Sequence, residues 1–268
     1  QRQMCIRDSP IAIPAWKAAP ALMCGNAVIL KPASLTAGSA IALTEIISNQ
    51  DIPNGLFNLV LGSGSDIGNK IATHPDIAAI TFTGSVEIGK KLYHDSSPTL
   101  KKMQMEMGSK NPLVVMDDAD LQTAITCAAN GAFGGTGQKC TASSRLIVHE
   151  NIYKEFVEGL IENIKKLKVG HALDEGTQMG PASNHNQYES NLNYVEIGKG
   201  EAKLAFGGNP MNMRTPGYYM EPTLFVDGDN KSRINQEEMF GPIACVIPTK
   251  NLEDALEIAN DTAVSYTH

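Results

Sequence analysis

Ala78-Ala79-Ile80-Thr81-Phe82-Thr83-Gly84-Ser85-Val86-Glu87-Ile88-Gly89 is the stretch on which the fold turns. Ala78 to Phe82 reads as a buried strand, and Val86 opens a helix. Gly84 lets the backbone come close to a ligand, and the N-terminus of the following helix offers unpaired N–H groups and a positive dipole to a phosphate. The segment is not a G-x-G-x-x-G, and a lone glycine turn is usually only a turn. Gly62-Ser63-Gly64 is a second and weaker turn of the same kind, with Gly64 as its candidate for cofactor contact.

The same alternation extends in both directions. Upstream, Ala27 to Leu30 reads as a strand, Thr36 to Ser48 as a helix and Phe57 to Leu61 as a strand after the turn Pro53-Asn54-Gly55. Strand–helix units at this spacing imply parallel strands with crossover helices, so the first hundred or so residues are expected to form a doubly wound sheet. Downstream, Pro112 to Met116, Leu146 to Val148 and Ile243 to Pro248 read as strands, with further strands near Leu204 and Leu224. Helices are expected over Leu121 to Phe133, Tyr188 to Ile197 and from Leu252. Ile152, Phe156, Leu160, Ile164 and Leu167 share one helical face, with Gly170 closing that helix. A break near residues 107–112 separates the two halves.

Composition excludes several classes. With 42% hydrophobic and 19% charged residues, the 268-residue chain is globular, and 22 basic against 29 acidic residues leave a net charge of −7. No basic patch marks a nucleic-acid binder. No stretch approaches the roughly 20 consecutive apolar residues that a membrane span needs, and the first residues lack the order of a signal peptide. The cysteines at 5, 24, 127, 140 and 245 are scattered, with neither metal-ligand spacing nor a disulfide framework, so no metal is expected and a reducing, cytoplasmic location is.

Taken singly, the candidate residues are ambiguous. Lys31 follows a buried strand, at the carboxyl edge where open sheets bind ligands, but a solvated lysine at a strand end is commoner. Cys140 lies in Gly137-Gln138-Lys139-Cys140-Thr141, and a lone cysteine is more often a small buried hydrophobe than a nucleophile. Glu106 is flanked by Met105 and Met107; such a glutamate is usually a surface residue and occasionally a desolvated base.

Read in order, Ile13-Pro14-Ala15-Trp16-Lys17, Gly25-Asn26, Lys31-Pro32-Ala33, Phe82-Thr83-Gly84-Ser85, Glu106-Met107-Gly108, Gly137-Gln138-Lys139-Cys140 and Glu238-Met239-Phe240-Gly241-Pro242 resemble the aldehyde dehydrogenase superfamily from about Pro10 to Ala263. The segments Glu106 to Pro112 and Gly137 to Arg145 are most similar to the 2-oxoglutarate semialdehyde (2,5-dioxopentanoate) dehydrogenases. The resemblance implies an α/β fold: an incomplete Rossmann-like NAD(P)-binding domain over residues 1–107, then an incomplete α/β catalytic domain over 108–268. It implies Cys140 as nucleophile, its backbone N–H as one oxyanion donor, and Glu106 as the base that activates water for hydrolysis of a thioester. Lys17 is the candidate for proton relay. NAD or NADP would meet Lys31 and Ser34 at the adenosine ribose, Gly84 and Ser85 at the pyrophosphate, Met107 at the carboxamide, and Glu238 with Phe240 at the nicotinamide ribose. The substrate implied is a small aldehyde, and the full-length form is expected to be a homo-oligomer.

Three departures from the family pattern stand out. Gly108-Ser109 replaces two glycines, bringing a β-carbon into that loop. Ser34 stands where NAD-dependent members often carry an acid, which favours tolerance of the NADP 2′-phosphate. Asp8 stands where the family's oxyanion-hole asparagine is expected, and the segments 1–9 and 264–268 look like translated sequencing adapter fused to an internal fragment. The alternatives are another semialdehyde dehydrogenase such as one for succinate semialdehyde, a CoA-acylating relative, or an inactive binding-only fragment. Retention of a carboxylate at Glu106 argues against the CoA-acylating route, which needs no water-activating base.

Overall fold

The computed structural model describes residues 10–262, so the expectations for Cys5, Asp8 and the segments 1–9 and 264–268 lie outside the described residues. The chain divides into two compact units, Gln1–Met107 and Gly108–His268.

The first unit runs α1 (Ala12–Met23), β1 (Val28–Leu30), α2 (Ala37–Ser48), β2 (Phe57–Leu59), α3 (Asn69–Thr73), β3 (Ala79–Gly84), α4 (Val86–Ser96) and β4 (Lys102–Met107). β1 pairs with β2 and β3 with β4, both in parallel. The crossover logic therefore holds, but among the described residues the strands stand as two separate pairs rather than one continuous sheet. β1 and β2 are only three residues long, which leaves a short ladder on which to build. α4 starts where its sequence directs: the Ser85 hydroxyl accepts from the Ile88 N–H at 3.4 Å, an N-cap that satisfies one orphan donor. A β-carbon on Gly84 would lie 2.4 Å from the tip of the Phe82 ring, so a larger residue here would have to displace that ring.

The second unit runs β5 (Asn111–Val115), α5 (Leu121–Phe133), β6 (Ser143–His149), α6 (Tyr153–Lys165), α7 (His185–Glu201), β7 (Lys203–Phe206), β8 (Thr223–Val226), α8 (Arg233–Gln236), β9 (Ile243–Thr249) and α9 (Leu252–Asn260). Its five strands form one sheet in the order β5-β6-β9-β8-β7, parallel except for β7, which lies antiparallel on β8. Strand alternation divides the core between the two faces. Leu146, Val148, Leu224, Val226, Ala244 and Val246 pack with α5 and with Phe156, Leu160 and Ile164 of α6. Phe225, Ile243 and Cys245 turn the other way, towards Tyr194 and Val195 of α7 and Ile234 of α8. α6 ends at Lys165, with Lys166 as its C-cap, rather than at Gly170; Gly170 instead donates its N–H to Met179 O in the following loop.

Arg145 of β6 is wholly buried among these apolar strands. Its guanidinium donates through Nε to Lys110 O at 3.0 Å, through NH1 to Asn230 Oδ1 at 2.9 Å and Ile258 O at 2.8 Å, and through NH2 to Ala259 O at 2.8 Å. The last two acceptors are carbonyls in the final turn of α9, where a cation opposes the negative end of the helix dipole. Asn230 is held in turn by Nδ2–H bonds to Asp261 O and Oδ2. Arg145→Met should therefore strand several buried acceptors and cost about 3–5 kcal/mol, the usual penalty for breaking a buried polar network. Urea unfolding measures this, and a loss below about 1 kcal/mol would refute the role.

Candidate active site

In the first unit the expected cofactor residues lie at or just beyond the carboxyl ends of strands in the two parallel pairs. Lys31 follows β1, half-buried, and its Nζ donates to Pro32 O at 2.9 Å and Gly62 O at 3.5 Å, joining it to the loop after β2. Burial holds its pKa below the ordinary lysine value. Ser34 is exposed at the head of a short 3₁₀ turn, and Gly64 begins a turn capped by Ser63, whose hydroxyl accepts from Asp66 N–H at 3.1 Å. Gly84 and Ser85 join β3 to α4, and Met107 ends β4, its sulfur packed against Gly89. A lysine cation at one strand end and a capped helix N-terminus at another are a donor set that suits an anionic dinucleotide.

Lys17 and Glu106 belong to the same unit. Lys17 Nζ donates to Thr81 Oγ1 at 2.6 Å and reaches Phe82 O at 3.5 Å. Burial lowers its pKa, and the charge of Glu106 works in the opposite direction.

In the second unit the Cys140 turn follows a strained run. Thr136 and Gly137 both have positive φ, 63° and 62°, the first being a conformation that a β-branched residue rarely adopts. Thr136 is held there by its hydroxyl, which donates to Gly180 O at 3.1 Å. Gly137 admits no side chain: a β-carbon would lie 2.1 Å from Gly241 O. The Cys140 turn is thereby clamped to the Glu238-Met239-Phe240-Gly241 segment, where Phe240 is also left-handed at φ 52°. Glu238 Oε1 accepts from the Ser109 N–H at 3.2 Å. Ser109 itself is buried, and its hydroxyl has no hydrogen-bond partner. The loop accommodates the extra β-carbon but leaves one oxygen orphaned.

Asn111, to which the sequence assigned no role, holds the thiol's turn. Its Nδ2 donates to Cys140 O at 2.7 Å and Ala142 O at 3.2 Å. Parallel pairing of Asn111 with Ser143 brings this amide beside the turn, a register that local sequence does not reveal. Lys110 carries no individual signal in the sequence. It is fully buried, and its amine has no hydrogen-bond partner. Its pKa falls from 10.5 to about 7, chiefly by burial, with the Arg145 cation adding to the effect and Cys245, Glu238 and Glu237 opposing it.

The family model for the aldehyde dehydrogenase family matches residues 8–267. The chain belongs to the aldehyde dehydrogenase family. The match is somewhat longer at both ends than the span from Pro10 to Ala263. The chain is 43% identical over 255 residues to an alpha-ketoglutaric semialdehyde dehydrogenase of Bacillus subtilis, covering 94% of this chain and 52% of that protein. A 2,5-dioxopentanoate dehydrogenase of Saccharolobus solfataricus is 41% identical over 262 residues, covering 97% of this chain and 54% of that protein. Among solved structures, HpcC of Thermus thermophilus superposes with a TM-score of 0.91 at 41% identity, over 95% of this chain and 50% of the other. A betaine aldehyde dehydrogenase of Staphylococcus aureus solved with NAD+ superposes at 0.90 with 34% identity, over 93% of this chain and 50% of the other. This aldehyde dehydrogenase chain thus spans about half the length of the curated relatives it matches. None of its described helices is long and apolar enough to cross a membrane, and no cluster of three or more metal-ligating side chains occurs among the described residues.

Two outcomes follow from the geometry of the second unit. Asn111→Ala should raise amide hydrogen exchange across residues 138–142 and cost about 1–2 kcal/mol, with unchanged exchange there contradicting the anchoring role. Lys110 makes stability depend on pH. Between about pH 7 and 10.5 the unfolded chain keeps a proton that the folded one has released, so the Lys110 contribution to stability rises with pH across that window. Below pH 7 the amine is charged in both states and the burial penalty is felt in full. Lys110→Met should remove this rise and be more stable than the parent at pH 6 by about 1–4 kcal/mol. Equal pH profiles in urea titrations would overturn it.

Proposed function

We propose that the protein oxidises an aldehyde to a carboxylic acid with NAD or NADP, residues 1–107 forming the cofactor-binding domain and 108–268 the catalytic domain. The observation that carries this reading is the Cys140 turn, a half-buried thiol presented by a strained glycine turn and anchored through its own carbonyl by Asn111. Strained backbone held in place by specific contacts is characteristic of sites where a side chain must be presented in one orientation.

The Cys140 thiolate attacks the aldehyde carbon, and the Cys140 backbone N–H is one donor to the oxyanion of the thiohemiacetal. The dinucleotide, when bound, supplies the acceptor for the hydride whose loss leaves a thioester on Cys140. Glu106 takes a proton from the water that attacks the thioester carbonyl, the carbon–sulfur bond breaks, the acid leaves and Cys140 is restored as the thiolate. Lys17 is the candidate for carrying that proton onwards. Lys31 and Ser34 would hold the adenosine ribose, Gly64, Gly84 and Ser85 the pyrophosphate, Met107 the carboxamide, and Glu238 with Phe240 the nicotinamide ribose. The described cysteines are free thiols, as is usual in a reducing compartment, which supports a cytoplasmic location. The proposed substrate is a semialdehyde such as 2-oxoglutarate semialdehyde. The two relatives named for that substrate, at 43% and 41% identity, support this, while a betaine aldehyde dehydrogenase of Brucella anthropi is 43% identical.

In the full-length protein, Cys140→Ala should abolish oxidation while cofactor binding stays near normal; turnover comparable to the parent would remove Cys140 from its role. Glu106→Gln should still give a burst of reduced cofactor, then turn over about 10²–10⁴-fold more slowly. Loss of the burst would place Glu106 before hydride transfer. Because no carboxylate stands at Ser34 to repel a 2′-phosphate, NADP should serve at least as well as NAD, and Ser34→Glu should shift the preference towards NAD. Strict NAD dependence of the parent would defeat the assignment of Ser34.

A further inference from the structure

β3 and β4 run parallel with Thr81 opposite Gln104 and Thr83 opposite Glu106. Side chains alternate along a strand, so Gln104 and Glu106 share one face while Met103, Met105 and Met107 take the other. α4 packs on the methionine face, where Gly89 meets the Met107 sulfur. α1 brings Lys17 to the polar face, within reach of Thr81.

The contacts on that face form a single directed chain. Lys17 Nζ lies 2.6 Å from Thr81 Oγ1, and a protonated lysine amine can only donate. The Thr81 oxygen therefore accepts and turns its own proton to Gln104 Oε1, 2.5 Å away. With its oxygen so engaged, the Gln104 amide presents its NH2 group to Glu106, and Nε2 donates to Oε1 at 3.3 Å. Each link has only one permitted direction, from the cation at Lys17 to the carboxylate at Glu106. The Lys17 and Glu106 charges also attract one another.

We infer that Gln104 is a positioning residue for Glu106, with Thr81 setting the orientation of its amide. This rests on the reading of Glu106 as the base in thioester hydrolysis. The Gln104 amide engages Glu106 Oε1, which limits rotation of the carboxylate and leaves Oε2 to accept the proton of the attacking water. Gln104 and Thr81 are both exposed, so replacing either opens no cavity in the core.

The test is a single-turnover experiment on the full-length protein with 2-oxoglutarate semialdehyde and NADP. It follows reduced cofactor as the acylation step and acid release as the hydrolysis step. Gln104→Leu should form reduced cofactor at the parent rate and release acid about tenfold more slowly, towards the low end of what one hydrogen bond to a charged group supports. Thr81→Val should slow acid release by a smaller factor, and Thr81→Ser, which keeps the hydroxyl, should match the parent. Acid release by Gln104→Leu at the parent rate, with Glu106→Gln slow, overturns the assignment of Gln104 alone. Slowed cofactor reduction in Gln104→Leu overturns it too, because the residue would then act before hydrolysis. Acid release by Glu106→Gln at the parent rate overturns the reading of Glu106 itself, and the inference with it.

Discussion

A guanidinium buried in an apolar sheet must find acceptors or destabilise the fold by several kcal/mol. Arg145 finds them in three separate parts of the second unit: the Lys110 carbonyl before β5, Asn230 in the loop after β8, and two carbonyls in the last turn of α9. None of these acceptors is a carboxylate. The charge is balanced instead by oriented dipoles, with Asp261 bonded to Asn230 from behind. Arg145 comes five residues after Cys140 on the strand that leaves the cysteine's turn, so it fixes that strand and the 109–111 segment against one another.

The Cys140 turn is built on that frame. Thr136 and Phe240 both carry left-handed backbone, and the two turns meet where Gly137 lies against the Gly241 carbonyl. Strain of this kind persists only when surrounding contacts over-determine it. Here those contacts are the Thr136 bond to Gly180 O, the Asn111 bonds to Cys140 O and Ala142 O, and the Gln187 side chain, whose Nε2 donates to Met239 O. Lys110 and Ser109 are the exceptions in the same segment, a buried amine and a buried hydroxyl without partners. They lie beside Asn111 and the Glu238 contact, where local stability is given up in a part of the chain that carries the family's motifs.

Much of this is legible in the sequence because it depends on local chemistry. α5 runs from Leu121 to Phe133 as its pattern directs, with Asp120 as its N-cap, and the α6 stripe buries Phe156, Leu160 and Ile164 as its period requires. α1 escapes such a reading because Ile13-Pro14-Ala15-Trp16 offers no apolar period, and a proline in the first turn can look like a break. The antiparallel placement of β7 and the separation of the first unit into two strand pairs depend on long-range pairing, which no window of sequence contains. The same holds for the site. Cys140, Glu106 and Glu238 announce themselves through motifs, whereas Asn111, Thr81 and Gln104 acquire their contacts only through strand register. Gly84, which the sequence suggests as a close approach to ligand, also leaves room for the neighbouring Phe82 ring.

The two units thus divide the proposed chemistry, with a cation-bearing strand edge and the Glu106 chain in one and the clamped thiol in the other. The account stands or falls on covalent chemistry at Cys140. The most direct measurement is to quench the full-length Glu106→Gln protein after mixing with aldehyde and NADP, digest it, and weigh the peptide that carries Cys140. The account predicts a peptide heavier by one acyl group in place of the thiol hydrogen, formed only when both aldehyde and cofactor are present. An unmodified Cys140, or an acyl group found on another residue, would contradict it.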